Sequence, residues 1–266
     1  MSARIGALLI HGLGGTQYDL GVLQKSLKKA GIETCAITLP GHGTQPEDLI
    51  GQKAEQWLAM LEAQYLALQS QYDQLHIVGM CMGALLALLL CQRVRHEGRR
   101  GKLVLLAPPV YIDGWSTPWY AALRFLVYRI PGVAARMKVE EGEPYGIKNS
   151  LVRAVVKAKF ARGDNFHYRW VPLACVRQVD RLRAMVIRDA ALIEAPTLII
   201  HAREDELTSL RSADFLQAAI ADARTVVLEN SYHMICVDND RDLVANSVLE
   251  FLGFAPQPLS RRMRGE

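Results

Sequence analysis

The chain has 266 residues and a net charge of +4, and half of its residues are apolar. These values fit one large α/β domain and exclude a disordered or fibrous protein. The longest unbroken apolar stretch, residues 84–91, is far shorter than the roughly 20 residues of a membrane span, so it predicts a buried helix.

The cysteines and the first residues both indicate a cytoplasmic protein. An odd cysteine count without metal-like spacing argues against a disulfide framework or a zinc site. The cysteines are Cys35, Cys81, Cys91, Cys175 and Cys236. The chain starts close to an apolar strand and shows no pattern of a secretory signal. We therefore expect reduced thiols.

Basic residues gather at residues 93–102, 177–188 and 261–264. Solvated protein surface is the simpler interpretation. The alternative is that one basic patch steers an acidic partner, such as an acyl carrier protein or coenzyme A, toward the molecule. No nucleic-acid-binding motif accompanies the charge, so we do not expect nucleic acid as a partner.

A continuous apolar run at residues 5–10 predicts a buried strand of a parallel sheet, and a glycine-rich loop at residues 11–15 follows it. Such a loop lets backbone N–H groups approach a ligand closely. It lacks the spacing of phosphate-binding and dinucleotide-binding loops. We predict that the N–H of Leu13 is one donor of an oxyanion hole, and that His11 only shapes the loop.

Helical and strand patterns then alternate up to residue 106, which predicts right-handed β-α-β units and a parallel sheet. The predicted helices are at residues 18–30, 53–69 and 84–94, and the predicted strands at residues 32–39, 74–78 and 102–106.

Gly79, Cys81 and Gly83 form a G-x-C-x-G pattern between the third strand and the helix after it. Glycines on both sides allow a strand to turn sharply into a helix, as in a nucleophile elbow, here with a thiol where serine usually stands. Cys81 would lie at a helix N-terminus, where unpaired N–H groups favour a thiolate. The alternative is a buried structural cysteine. We predict that Cys81 is a nucleophile and that the N–H of Met82 is the second oxyanion donor.

The alternation stops at residues 110–193, which show no convincing strand and several helical segments rich in aromatic and basic residues. We predict a helical cap inserted into a core formed by residues 1–109 and 194–266. Trp115, Trp119 and Tyr120 would line an apolar acyl-binding cleft, although aromatic residues at helical spacing more often belong to a hydrophobic core.

Strand character returns at residues 196–201, and Asp205 follows in the next loop. A carboxylate that orients a catalytic histidine is expected there, with Glu204 and Glu206 as alternatives. His233 follows a strand predicted at residues 225–228 and precedes a terminal helix predicted at residues 240–252. The order nucleophile, acid, histidine is typical of an α/β-hydrolase.

With these motifs the chain resembles the α/β-hydrolase superfamily, and within it the small bacterial carboxylesterase and monoacylglycerol lipase group. The matching stretches are residues 9–13, 39–43, 79–83, 195–200 with Asp205, and 231–233. The resemblance implies an α/β fold whose mostly parallel sheet is flanked by helices, and a catalytic triad of Cys81, Asp205 and His233 with no metal or organic cofactor. That group has serine at position 81. The cysteine looks more like dienelactone hydrolases, polyhydroxyalkanoate synthases and some thioesterases.

The expected function is hydrolysis of a small-molecule acyl ester or thioester through an acyl-thioester on Cys81. Acyl transfer to an amine, alcohol or thiol is an alternative, because an enzyme-bound thioester is more open to amines and thiols than an ester is. A non-catalytic ligand-binding protein on the same scaffold is a second alternative, but such a receptor has no need of all three triad residues.

Overall fold

The computed structural model describes residues 3–95 and 101–258. The strands in this part of the chain are β1 (Ile5–Ile10), β2 (Glu33–Ile37), β3 (Gln74–Met80), β4 (Leu103–Leu106), β5 (Lys138–Glu140), β6 (Trp170–Pro172), β7 (Thr197–Ala202) and β8 (Ala223–Leu228). All except β5 and β6 pair in parallel in a six-stranded sheet with the order β2-β1-β3-β4-β7-β8. The predicted parallel α/β fold is confirmed.

Helices cover both faces of this sheet. The described α-helices are α1 (Leu23–Lys29), α2 (Ala54–Gln69), α3 (Met82–Arg93), α4 (Arg124–Val127), α5 (Val133–Arg136), α6 (Ser150–Arg162), α7 (Leu173–Asp189), α8 (Arg211–Ala219) and α9 (Arg241–Leu252). None of these helices is long and apolar enough to cross a membrane.

The central strands are apolar on both sides because each face of the sheet is buried. One core cluster joins the sheet to α1 and α9, and the other joins it to α2, α3, α7 and α8. Helix α3 is buried along most of its length. The sheet therefore fixes the start of α3 directly after β3, at the carboxyl edge where ligands bind in open α/β sheets.

The single helix predicted at residues 18–30 is wrong. A short 3-10 turn at Gln17–Leu20 is separated from α1 by Gly21. Gly21 has a φ of 48°, and a Cβ atom there would lie 2.0 Å from the carbonyl oxygen of Cys236. The chain bends at this point because a close backbone contact requires glycine.

The segment between β4 and β7 carries α4 to α7 and also a small sheet, so the prediction that it contains no strand is wrong. Strands β5 and β6 pair antiparallel, with Glu140 opposite Trp170. All three residues of β5 are exposed, so they show no alternation that a sequence pattern could reveal. Helix α7 packs against α3 within the core cluster.

The basic stretch at residues 177–188 lies wholly on α7, and several of its arginines have carboxylate partners. Arg181 pairs with Glu55, Arg183 with Asp180, and Arg188 with Asp189. The exposed side chains of Arg181 and Arg188 favour the interpretation as protein surface, whereas the pair of Arg183 and Asp180 is largely buried. Residues 96–100 of the first basic stretch, and the whole of the stretch at residues 261–264, lie outside the described residues.

Candidate active site

Cys81 occupies the sharp turn between β3 and α3. Its φ of 54° is a left-handed conformation that residues with a side chain rarely adopt. A Cβ atom on Gly79 would lie 2.1 Å from the carbonyl oxygen of Gly83, and one on Gly83 would lie 2.2 Å from that of Ile10. Both flanking positions therefore require glycine. The turn holds the thiol at the first turn of α3.

His233 and Asp205 come from the loops after β8 and β7, and the fold brings them together. Nδ1 of His233 lies 2.7 Å from Oδ2 of Asp205. The other carboxylate oxygen accepts hydrogen bonds from the backbone N–H groups of Leu207 (2.8 Å) and Thr208 (3.0 Å). Both side chains are buried. Asp205 is thus fixed by its own loop and holds the imidazole ring with Nδ1 as the donor.

The negative charges beside His233 make its ring a stronger base and favour transfer of the Cys81 proton to it. Burial lowers the pKa of His233, but the charge of Asp205, followed by the interaction with Cys81, outweighs burial and raises that pKa well above 6.5. Nε2 of His233 is buried and has no partner that meets hydrogen-bond geometry in the described part of the chain. The ring of His233 therefore binds Asp205 through Nδ1 and interacts electrostatically with the thiol of Cys81.

The two carboxylates beside Asp205 have other partners. Glu204 forms an ion pair with Lys148 at 2.8 Å near the surface. Glu206 is buried, and its Oε2 accepts a hydrogen bond from the backbone N–H of His233 at 3.1 Å. Burial raises the pKa of Glu206. Asp205 is the carboxylate that is hydrogen-bonded to the His233 ring, whereas Glu206 is hydrogen-bonded to the backbone N–H of the same histidine.

The glycine-rich loop lies against the thiol. A Cβ atom on Gly12 would lie 3.1 Å from Cβ and 3.7 Å from Sγ of Cys81. The carbonyl oxygen of Gly12 accepts a hydrogen bond from Nδ1 of His11 at 2.8 Å, which orients the peptide plane that also carries the N–H of Leu13. Among the described residues, the N–H groups of Leu13 and Met82 donate no hydrogen bond. The backbone N–H groups of the residues that follow Gly12 and Cys81 therefore have no protein acceptor in the described part of the chain.

The three aromatic residues predicted to bind substrate lie on the outer surface. Trp115, Trp119 and Tyr120 are 60%, 91% and 54% exposed. Nε1 of Trp115 donates to the carbonyl oxygen of Glu204 at 3.0 Å, and its ring lies 5.5 Å from that of Tyr232. Trp115 therefore contacts the loops of both Asp205 and His233, while Trp119 and Tyr120 pack edge to face on each other.

Sequence reasoning missed a buried carboxylate, Asp238, that supports the His233 loop. Asp238 accepts backbone N–H groups from Lys148 (2.7 Å), Asn149 (2.8 Å), Tyr232 (2.9 Å) and Asn239 (2.9 Å). It thereby ties the residue before His233 to the segment between β4 and β7. The available signal was the polar run at residues 238–240 before the last helix, which is typical of a helix start. Asp19 and His167, described below, had no such signal.

Comparisons with known proteins show which family and which relatives this chain is similar to. The family model described as Serine aminopeptidase, S33 (Hydrolase_4) matches residues 3–240. A thermostable monoacylglycerol lipase from a Bacillus species is 29% identical over 252 residues, which cover 93% of this chain and 90% of that protein. A carboxylesterase from Bacillus subtilis is 26% identical over 249 residues, covering 92% of this chain and 91% of that protein.

A solved structure shows the same fold. A soluble variant of monoglyceride lipase from Saccharomyces cerevisiae has a TM-score of 0.80 at 16% identity, covering 95% of this chain and 87% of that chain. The family model spans the elbow, the Asp205 loop and the His233 loop. This chain therefore belongs to the Hydrolase_4 family of α/β-hydrolases.

Proposed function

We propose that this chain hydrolyses acyl esters or thioesters of small molecules, with Cys81 as nucleophile, His233 as base and Asp205 as the carboxylate that orients the histidine. One observation carries this proposal: Cys81 lies on a sharp turn whose flanking positions require glycine, next to the ring of His233. That ring is hydrogen-bonded to Asp205. The similarity to a monoacylglycerol lipase and a carboxylesterase supports ester hydrolysis.

In the first half of the reaction, His233 takes the Cys81 proton and the sulfur attacks the acyl carbonyl carbon. The negative charge that forms on the carbonyl oxygen is stabilised by the N–H groups of Leu13 and Met82. Loss of one oxyanion-hole donor in a serine protease lowers the rate about 10² to 10³-fold. The tetrahedral intermediate collapses, and the alcohol or thiol leaves with the proton from His233. An acyl-thioester on Cys81 remains.

In the second half, His233 takes a proton from water, and the hydroxide oxygen attacks the thioester carbonyl. The carbon–sulfur bond breaks, the free acid leaves and the proton returns to the thiol. Because a thioester exchanges onto a thiol with little change in bond energy, we expect acyl thioesters to be better donors than the corresponding oxyesters. A strong amine or thiol nucleophile would divert the acyl group, which is how acyl transfer would arise from the same intermediate.

Residues 110–193 are proposed to act as a cap on the core of residues 1–109 and 194–266. Trp115 is an aromatic residue of this segment that contacts the loops of both Asp205 and His233, and Trp119 and Tyr120 are exposed aromatic residues of the same segment. We propose that this surface receives the acyl chain of the substrate.

The experiment compares Cys81→Ala with Cys35→Ala in hydrolysis of p-nitrophenyl esters and acyl thioesters. Cys35 is a half-buried free thiol on β2, one of the two edge strands of the six-stranded sheet, and serves as the matched control. Cys81→Ala should abolish release of free acid without lowering the melting temperature, whereas Cys35→Ala should retain the wild-type rate. A folded Cys81→Ala variant with normal turnover would overturn the assignment of the nucleophile.

A further inference from the structure

Three consecutive residues of the segment between β4 and β7 hold the glycine-rich loop. The carbonyl oxygen of Phe166 accepts a hydrogen bond from Oγ1 of Thr16 at 2.8 Å. The N–H of Tyr168 donates to the carbonyl oxygen of Gly14, also at 2.8 Å. Between them, Nδ1 of His167 lies 3.4 Å from Oδ1 of Asp19. We name residues 166–168 the strap.

Asp19 lies directly behind the loop. It is 2% exposed, and its Oδ2 accepts a hydrogen bond from the N–H of Gly12 at 3.2 Å. A Cβ atom on Gly15 would lie 1.8 Å from the same oxygen. The carboxylate is therefore packed against the loop that contains Leu13. A side chain at position 15 would occupy the space that this carboxylate fills.

Leu13 lies between two fixed neighbours. The N–H of Gly12 is bound by Asp19, and the carbonyl oxygen of Gly14 is bound by Tyr168. The Leu13 N–H shares a planar peptide unit with the Gly12 carbonyl group, which is held by Nδ1 of His11. The two outer hydrogen bonds anchor the backbone on either side of this unit and so restrict its rotation. Gly12 also lies against Cys81, so a shift of this loop changes the distance between the N–H and the sulfur.

His167 supplies a positive charge beside the buried carboxylate of Asp19. Nδ1 of His167 faces Asp19, and Nε2 lies 3.7 Å from Oε1 of Glu141. Burial lowers the pKa of His167, but the two carboxylates outweigh burial and raise it to about 10. The ring is therefore an imidazolium at neutral pH, and a buried carboxylate paired in this way avoids a large desolvation cost.

We propose that Asp19 and His167 are positioning residues of the oxyanion hole, and that their ion pair between core and strap sets the orientation of the Leu13 N–H. This inference rests on the proposed function. It makes the strap part of the support for the reaction, in addition to any role of the surrounding segment in holding substrate.

Two reactions of Cys81 separate this role from a general structural one. Acylation by a p-nitrophenyl ester builds negative charge on a carbonyl oxygen and uses the oxyanion hole. Alkylation by iodoacetamide forms a sulfur–carbon bond at the methylene group while iodide leaves and the thiol proton passes to His233, so no oxyanion forms. A displaced Leu13 N–H slows only the first reaction.

The variants are His167→Gln and Asp19→Asn, each of which keeps a hydrogen-bonding group but removes a charge. Both should lower kcat about 10-fold or more. This loss is smaller than the one caused by removing an oxyanion donor, because the Leu13 N–H is displaced but still present. KM and the rate of alkylation of Cys81 should stay within about twofold, since neither depends on stabilising charge in the transition state. Arg162→Gln is the matched control, because Arg162 forms an exposed ion pair with Asp164 near the strap.

Equal losses of acylation and alkylation in both variants would show a structural role and overturn the proposal, as would a wild-type kcat in a folded His167→Gln variant. Failure of the proposed function gives a different result, namely turnover that persists in Cys81→Ala. Thermal melting of each variant shows whether it is folded. If His167→Gln does not fold, Asp19→Asn decides the question by the same two rates.

Discussion

Nδ1 of His233 and Oδ2 of Asp205 lie 2.7 Å apart in a buried place, although the two residues are 28 positions apart in the chain. Asp205 accepts two further hydrogen bonds from its own loop, and the backbone of His233 is held separately by Glu206. The ring of His233 is therefore fixed at one nitrogen and along its backbone. Its other nitrogen, Nε2, is left for the thiol.

Replacing Asp205 with asparagine should cripple the enzyme. In Asp205→Asn the amide can present its NH₂ group to Nδ1, which stabilises the wrong tautomer of His233. We expect a loss of kcat of about 10⁴, the size of the effect in a serine-protease triad. Glu204→Gln is the control, because Glu204 pairs with Lys148 near the surface, and it should keep the wild-type rate. A large loss in Glu204→Gln and none in Asp205→Asn would show that the wrong carboxylate was chosen.

The ionised side chain of Glu206 should lower the stability of the folded protein at neutral pH. Burial raises its pKa in the folded state, so the unfolded chain loses this proton first as the pH rises above about 4.5. Stability therefore falls as the pH rises through the raised pKa. Glu206→Gln can still accept from the N–H of His233, so at pH 7 it should melt about 2 to 4 °C higher than wild type.

The comparison for Glu206→Gln is made at two pH values. At pH 4 both proteins carry a neutral side chain at this position, and the difference in melting temperature should shrink. Glu229→Gln serves as the control, since Arg203 lowers the pKa of the exposed Glu229 and its neutral replacement should not raise the melting temperature at pH 7. The prediction is contradicted if the gain in melting temperature of Glu206→Gln over wild type is smaller at pH 7 than at pH 4.

The elbow should tolerate no side chain at Gly83. A Cβ atom there would lie 2.2 Å from the carbonyl oxygen of Ile10 and 2.5 Å from that of His11, and both are backbone atoms that cannot move aside independently. We expect Gly83→Ala to lower the free energy of unfolding by about 3 kcal/mol or more, at the upper end for single substitutions.

Gly142→Ala is the control for the elbow, because nothing lies within 4 Å of a Cβ atom at that position. Urea denaturation of both variants measures the difference. Equal stability of the two would mean that the turn around Cys81 is not constrained as described.

The sheet could be predicted from the sequence because its strands are buried on both faces. The strand Ile5–Ile10 has the bounds that its apolar run predicts, and β3 and β7 differ from prediction by two residues or fewer at each end. The order of parallel strands then places the loops of Cys81, Asp205 and His233 at one edge. Motif and topology together were enough to nominate these three residues.

The supports of the site could not be predicted, because they depend on contacts between distant parts of the chain. Asp19 and His167 are 148 residues apart, and neither lies in a recognisable motif. Asp238 binds residues about 90 positions earlier. Helical patterns in residues 110–193 indicated elements but not which face they present, so the exposure of Trp119 could not be anticipated either.

The most direct test of the account is mass spectrometry of the intact protein, quenched within seconds of mixing with an acyl thioester or a p-nitrophenyl ester, followed by peptide mapping. We predict that one acyl mass is added to the peptide that contains Cys81, that its decay matches the release of free acid, and that it is absent in Cys81→Ala. An adduct that persists until an amine or thiol is added would assign the chain to acyl transfer. Release of free acid with no acyl mass on Cys81, at an undiminished rate in Cys81→Ala, would contradict the central claim that this thiol is the nucleophile.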